Sequence, residues 1–330
     1  MEQKGARFDG KHFLNPVPTE VMGPGAMPKI LQEYLKPHPN REPATPPGPF
    51  SVDPKFLAQA PGDDIAVTWL GHSTVLFSIN GKRFLTDPVW YQRVSPVSFA
   101  GPKRFFNVPV ALSELPPLDF ILLSHDHYDH LDKGAILYLT SKKIPVITML
   151  GVGKRLRNWG VDASLIIELD WWQEKKLGDG FKLTVLPARH FSGRSLVDRF
   201  TTLWGSFAIN GPKHNLYFGA DSGYYEGFKK IGDALGPFDL TMLEIGAYNK
   251  LWADIHMGPE NAAQAQLDVK GNLLLPLHWG TFALAFHSWT EPIERLLVAA
   301  ANKSIPLLVP APGETRLLSQ GAFLHEWWKK

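Results

Sequence analysis

Seven consecutive residues, Ser124-His125-Asp126-His127-Tyr128-Asp129-His130, constrain this chain more than any other stretch. They place three imidazoles and two carboxylates directly after the apolar run Leu118-Asp119-Phe120-Ile121-Leu122-Leu123. That run reads as a buried strand, so the fold must hold the cluster on a loop at the strand's end. A loop anchored by a rigid strand can aim several side chains at one point. Imidazole nitrogen and carboxylate oxygen are the ligands that suit zinc and its first-row neighbours. The chain has no cysteine. A disulfide framework is therefore excluded, and every metal ligand must be nitrogen or oxygen.

The 330 residues suffice for one large domain, and with 44% hydrophobic and 20% charged residues a sizeable core is expected. Lys and Arg number 34 against 32 Asp and Glu, too even a balance for a nucleic-acid partner. Met1 to Gly10 is polar and lacks a short apolar core of the signal-peptide kind. The uncharged stretch Gly271 to Thr290 is broken by Pro276, His278, Gly280 and His287, and reads as strand and loop rather than a membrane span. The expectation is a soluble, cytoplasmic protein.

Residues 1–60 are rich in proline, notably Pro37-His38-Pro39 and Pro43-Ala44-Thr45-Pro46-Pro47-Gly48-Pro49. Proline fixes φ and removes donors, so this segment is expected as an extended arm on the surface, docked in part through Phe13, Leu31, Tyr34 and Leu35. Residues 61–330 form the expected main domain. Strands are predicted at 65–70, 74–79, 82–85, 118–123, 144–149, 164–168, 181–187, 203–209, 215–219, 239–244, 273–277 and 305–309. Helices are predicted at 132–141, 153–159, 224–234, 259–269 and 291–302. Asn80-Gly81 marks a hairpin. The pattern suggests two sheets packed face to face with helices outside, an α+β class.

Three more polar residues sit where an apolar strand ends. They are His190 after Lys182 to Arg189, Asp221 after Asn215 to Ala220, and His278 after Asn272 to Leu277. Alone, each is as readily a hydrogen-bonded structural residue. Together they fit the rule that α/β proteins build sites at strand carboxyl ends.

His125-x-His127-x-Asp129-His130, followed by His190, Asp221 and His278, resembles the metallo-β-lactamase superfamily. Flanking segments resemble its N-acyl-phosphatidylethanolamine phospholipase D-like branch. They are Thr68 to Thr74, Leu85-Thr86-Asp87-Pro88, Gly101-Pro102-Lys103-Arg104-Phe105, Ser113 to Pro117, Leu203-Trp204-Gly205-Ser206, Gly246-Ala247-Tyr248 and His278 to Leu284. The resemblance implies a four-layer αβ/βα sandwich of two mixed sheets with a two-metal site at one edge. It implies that His125, His127 and His190 hold one ion, that Asp129, His130 and His278 hold another, and that Asp221 bridges them. The ions would be divalent, with zinc favoured and manganese or iron able to use the same ligands. Asp129, Asp221 and His256 are the expected catalytic residues.

The activity implied is a phosphodiesterase of phospholipase D type, in which a hydroxide shared by the ions attacks phosphorus. Two other classes stay open: a hydrolase of a small lactone, sugar phosphate, ester or β-lactam, and a metal-binding protein without catalysis. A Cys ligand common in true β-lactamases is replaced here by Asp221.

Further residues have two readings each. Asp87 either orients a ligand imidazole or starts the turn at Pro88. His72 either supports the metal ligands or serves a turn. His256 either meets phosphate and protonates the leaving group or caps the helix at Pro259. Arg189 and Arg194 either meet phosphate or are solvated. Tyr248, Trp252 and Phe191 are expected at the substrate, lining an acyl groove. Trp171-Trp172 and Trp327-Trp328 look exposed and suggest peripheral contact with a membrane or micelle. The relatives imply a homodimer.

Overall fold

The Asn80-Gly81 pair turns the chain with φ of 45° and 84°, the conformation of a two-residue type I′ hairpin, and Ile79 pairs with Lys82 across it. That hairpin lies inside a seven-stranded sheet ordered Thr315–Leu317, Ala66–Gly71, Thr74–Ile79, Lys82–Thr86, Phe120–Leu123, Val146–Met149, Ile166–Leu169. A six-stranded sheet runs Gly271–Leu277, Phe238–Glu244, Asn215–Phe218, Ser206–Asn210, Phe181–Leu186, Glu174–Gly178. This computed structural model describes residues 5–23, 25–195 and 197–329. The side chain of Tyr34, expected to dock, lies outside the described residues.

The sheets face each other across one core. Phe77 and Phe84 from the first, and Phe181, Phe207 and Phe218 from the second, belong to a single buried cluster. The rings of Phe84 and Phe181 meet across it at 6.5 Å. Both sheets are mixed, and each parallel step needs a crossover. Lys133–Ser141 and Val152–Asn158 supply crossovers for the first sheet, and Gly227–Leu235 and Pro259–Asp268 for the second. Glu291–Lys303 packs against Pro259–Asp268. The result is the expected αβ/βα sandwich.

Strand direction decides where a site can form. Ala66–Gly71 and Lys82–Thr86 both run antiparallel to Thr74–Ile79, so they run alike, and Phe120–Leu123 joins them in parallel. In the second sheet Phe181–Leu186, Asn215–Phe218, Phe238–Glu244 and Gly271–Leu277 share one direction. The residues following these seven ends include His72, Asp87, His125, His190, Asp221 and His278, and Glu244 closes its own strand.

Several expectations fail. The arm is not simply extended, since it contains the helices Ala26–Leu35 and Pro54–Ala58 and a small pairing of Arg7–Phe8 with Phe13–Leu14. Pro28 and Pro54 fall in first turns, where no N–H is needed. Phe13 packs against the core, but Leu31 and Leu35 are 63% and 80% exposed and do not dock. Neither Trp pair is an exposed pair. Trp171, Trp327 and Trp328 are buried, and Trp172 packs against the core. Trp327 lies among Trp69, Trp279 and Phe50. Strands Glu174–Gly178, Thr315–Leu317 and Phe323–Leu324 were not foreseen, and the 305–309 strand shrinks to Leu308–Val309.

Candidate metal centre

Ser124 fixes the first imidazole. Its hydroxyl donates to Asp87 Oδ2 at 2.6 Å, leaving its lone pair to accept from His125 Nδ1 at 2.9 Å. His125 therefore presents a bare Nε2. His190 Nδ1 lies 2.9 Å from the Ile255 carbonyl, which can only accept, so His190 also presents a bare Nε2. Both bare nitrogens face His127 Nδ1, at 2.9 and 3.3 Å. Two bare nitrogens that converge on a third ring nitrogen in a dry pocket need a proton or a metal cation among them. His125, His127 and His190 offer atoms within 4.8 Å of one another, the spacing of a common ion.

A second group adjoins the first. His130 Nδ1 donates to Asp87 Oδ2 at 2.7 Å, which turns Nε2 toward Asp221 Oδ2 at 3.1 Å and Asp129 Oδ2 at 3.6 Å. His278 Nε2 stands 3.1 Å from Asp221 Oδ2 and 3.4 Å from Asp129 Oδ2. His72 Nε2 meets Asp129 Oδ2 at 3.0 Å, and His72, Asp129, His130 and His278 form a second ligand-spaced group. Asp221 is central: its Oδ2 also lies 3.9 Å from His125 Nε2 and 3.7 Å from His190 Nε2. His130 Nε2, His278 Nε2 and Asp221 Oδ1 are buried without a hydrogen-bond partner. Orphaned nitrogen and oxygen atoms of this kind fit divalent transition metals.

Electrostatics of the metal-free pocket agree. Burial opposes charge on every imidazole here. It holds His72 down to about 3 and His127 to about 4, and keeps His125 and His190 well below the usual range. For His278 burial is overcome by the Asp221 carboxylate and the hydrogen bonds to Asp129 and Asp221, which lift it to about 10. His130 is raised well above its ordinary value, its burial outweighed by the Asp221 and Asp129 carboxylates. Where no cation is bound, protons balance the two carboxylates.

The backbone is strained at the same edge. His72, Asp87, Ala220, Ala247 and His278 all adopt positive φ, from 32° to 63°, a left-handed conformation that non-glycine residues avoid and that collects at functional sites.

Other expected residues fall as follows. His256 Nδ1 lies 2.7 Å from Glu244 Oε2, and its ring stands 5.0 Å from that of His190 and 5.2 Å from that of His278. Phe191 packs its ring 4.4 Å from His127. Trp252 donates to the Ala247 carbonyl and lies beside Phe286. Tyr248 donates its hydroxyl to Glu291 Oε1, receives Arg295, and stacks on His287, so only its ring remains for a ligand. Arg189 is not left for phosphate: it pairs with Asp254 at 2.6 Å and donates to the Pro18 carbonyl. Arg194 donates to the carbonyls of Asp126, His127 and Leu131, bracing the His-rich loop from behind.

Two participants went unseen in the sequence. Glu244 is fully buried, and its Oε1 accepts Ser222 N–H and Met257 N–H, which leaves Oε2 for His256. Its position, ending the apolar strand Phe238–Glu244, carries the same signal that marked His278. Asn15 donates to the His190 carbonyl at 2.7 Å and accepts the His190 N–H at 3.0 Å.

Fold and side chains together define a metallo-hydrolase of the β-lactamase kind. Residues 82–279 match the Beta-lactamase superfamily domain, and the chain belongs to that superfamily. Within it, the chain falls in the branch of the N-acyl-phosphatidylethanolamine-hydrolysing phospholipases D. It is 40% identical to N-acyl-phosphatidylethanolamine-hydrolyzing phospholipase D 1 of Caenorhabditis elegans over 241 residues, 69% of this chain and 68% of that protein. An uncharacterized protein of Mycobacterium tuberculosis is 46% identical over 304 residues, 91% of this chain and 80% of its own. Among solved structures, an isothiocyanate hydrolase from Delia radicum gut bacteria superposes with a TM-score of 0.62 at 21% identity. It covers 76% of this chain and 98% of its own, and shows the shared fold.

Proposed function

We propose that this chain is a dinuclear metal-dependent phosphodiesterase that hydrolyses an N-acyl-phosphatidylethanolamine or a related phospholipid at the bond a phospholipase D breaks. The observation that carries the reading is the convergence of the bare His125 and His190 nitrogens on His127 Nδ1, beside a second group sharing Asp221. The likeness to the worm phospholipase supports the substrate class.

In this reading His125 Nε2, His127 Nδ1 and His190 Nε2 hold one divalent ion. Asp129, His130 and His278 hold another, and Asp221 serves both. Zinc suits the set, and manganese or iron can use it. When bound, such a pair supplies an acidified water as nucleophile and positive charge for the phosphoryl oxygens. Asp129 and Asp221 return only two negative charges against the four of the ions, so the pocket favours an anionic diester.

His72 holds Asp129, and Asp87 holds His130, in the orientation this requires. Glu244 fixes His256 by Nδ1, so Nε2 is the atom that can deliver a proton to the departing alkoxide. Phe191, Trp252 and the ring of Tyr248 supply apolar surface for acyl chains.

Metal analysis after dialysis should find about two ions per chain. Release of N-acylethanolamine should exceed turnover of soluble phosphodiesters, lactones and β-lactams assayed side by side. Faster turnover of a lactone or β-lactam than of any phosphodiester would overturn the assignment.

A further inference from the structure

We infer that Asn15, on the N-terminal arm, is a positioning residue for His190, so that the arm carries part of the affinity for the ion held with His125 and His127. The inference rests on the proposed function only in taking His190 as a ligand, and makes no use of the substrate.

The backbone of His190 has no strand beside it. The ladder between Phe181–Leu186 and Ser206–Asn210 ends at the pair of Leu186 with Ser206. His190 lies beyond that pair and is buried, where an unpaired N–H or C=O is costly. The Asn15 carboxamide satisfies both groups. Its Nδ2 donates to the His190 carbonyl at 2.7 Å, and its Oδ1 accepts the His190 N–H at 3.0 Å. Donor and acceptor sit side by side on one planar group, so this side chain does for one residue what a neighbouring strand does. Among the described residues neither group of His190 has another hydrogen-bond partner. Pro16 favours extended backbone at Asn15.

The same stretch of arm reaches the group that aims the His190 ring. That group is the Ile255 carbonyl, 2.9 Å from Nδ1. Asp254, its neighbour in the chain, accepts the Glu20 N–H at 2.9 Å and pairs with Arg189 at 2.6 Å. Arg189 in turn donates to the Pro18 carbonyl at 2.8 Å and to Thr19 Oγ1 at 3.1 Å. Residues 15–20 thus grip the His190 backbone at one end and the segment that orients its ring at the other. They set the separation of the two, and with it the place of Nε2. The strap is itself moored. Arg7 Nη2 donates to the Asn15 carbonyl at 2.8 Å, the Phe13 N–H to the Phe200 carbonyl at 2.8 Å, and the Ala6 N–H to Asp170 Oδ1 at 2.9 Å.

This grip favours one ion over the other. Among the described residues no hydrogen bond or ion pair joins residues 5–20 to His72, Asp129, His130 or His278. Those four are aimed by Asp87, by Asp221 and by one another. An arm that only stabilised the fold would affect both ions together. A strap on His190 affects its own.

The test is a two-step zinc titration of the metal-free full chain against a chromophoric chelator, with His190→Ala and His278→Ala marking which step belongs to which group. Asn15→Asp keeps the side chain's size and the acceptor for the His190 N–H, but sets a second oxygen against the His190 carbonyl. Asn15→Leu removes both bonds. Each should weaken the step that His190→Ala removes by about 10–100-fold. The step that His278→Ala removes, and the circular dichroism spectrum, should match the wild type. Turnover should fall at limiting zinc and recover at saturating zinc with KM unchanged, a rescue that a misfolded variant would not show.

Equal weakening of both steps makes the arm a general support and overturns the inference. An unchanged His190 step in both Asn15 variants overturns it too, and beside rapid phosphodiester turnover leaves the proposed function intact. The reverse result, a weakened His190 step in a protein whose wild type hydrolyses no phosphodiester, keeps the strap and removes that function.

Discussion

Asp87 governs the pocket without standing at its centre. It accepts the Ser124 N–H and hydroxyl at 2.8 and 2.6 Å and the His130 ring at 2.7 Å, so one buried carboxylate sets the tautomer of His130 directly and that of His125 through Ser124. Asp87→Asn should weaken metal affinity by about 10–100-fold, read by competition with a chromophoric chelator, with the circular dichroism spectrum unchanged. Asp221→Asn should abolish turnover, and unchanged activity would reject its role between the two groups. His256→Ala should lower kcat by about 10²–10⁴-fold, with metal content preserved. Glu244→Gln should lower it in the same direction, since Oε2 then no longer holds the His256 ring as a carboxylate does. The residues gathered at the pocket were legible because each ends an apolar strand, and four of them share one heptapeptide. Glu244 also ends an apolar strand, but that signal does not tell a carboxylate that fixes an imidazole from one that merely closes a strand, and its partner His256 lies across a loop. Asn15 left no trace at all, because 175 residues separate it from His190.

At the scale of elements, the His-rich loop is locked to the loop after His190 by a charge network. Asp126, side chain fully buried, accepts Arg155 at Oδ2 and the Gly193 N–H at Oδ1. Arg155 also reaches Asp198 at 2.8 Å. Arg155→Met would leave Asp126 buried and unpaired, at a cost of about 3–5 kcal/mol. Urea unfolding should show it, and adding Asp126→Asn should recover part of the loss. Interior strands were read well because burial on both faces gives continuous apolar runs. Glu174–Gly178 was not, because its sequence Glu-Lys-Lys-Leu-Gly is that of an edge strand. Edges carry charge to discourage further pairing, so in sequence they resemble loops. The Trp pairs misled for a related reason: charged neighbours at a chain end imply solvent, but Trp327 is drawn into the indole cluster behind His278.

For the molecule as a whole, the opposed imidazole shifts give the metal-free chain a stability maximum. Above pH 6.5 the folded state keeps protons on His130 and His278 that the unfolded chain has lost, so stability falls as pH rises toward 10. Below pH 6.5 the unfolded chain takes up protons that buried His72 and His127 refuse, so stability falls again toward pH 3. Thermal unfolding with chelator should therefore peak near pH 6.5. A divalent cation bound at His130 and His278 would displace their protons, and should abolish the alkaline decline. No helix among the described residues is long and apolar enough to cross a membrane.

Trp279 directly follows His278 and stacks on Trp69 at 5.5 Å with 16° between the planes. Indole emission shifts when charge arrives nearby. The ultraviolet-excited glow of the unmodified protein should thus change as cations fill the pocket, so that loading can be titrated in a cuvette without dye or label.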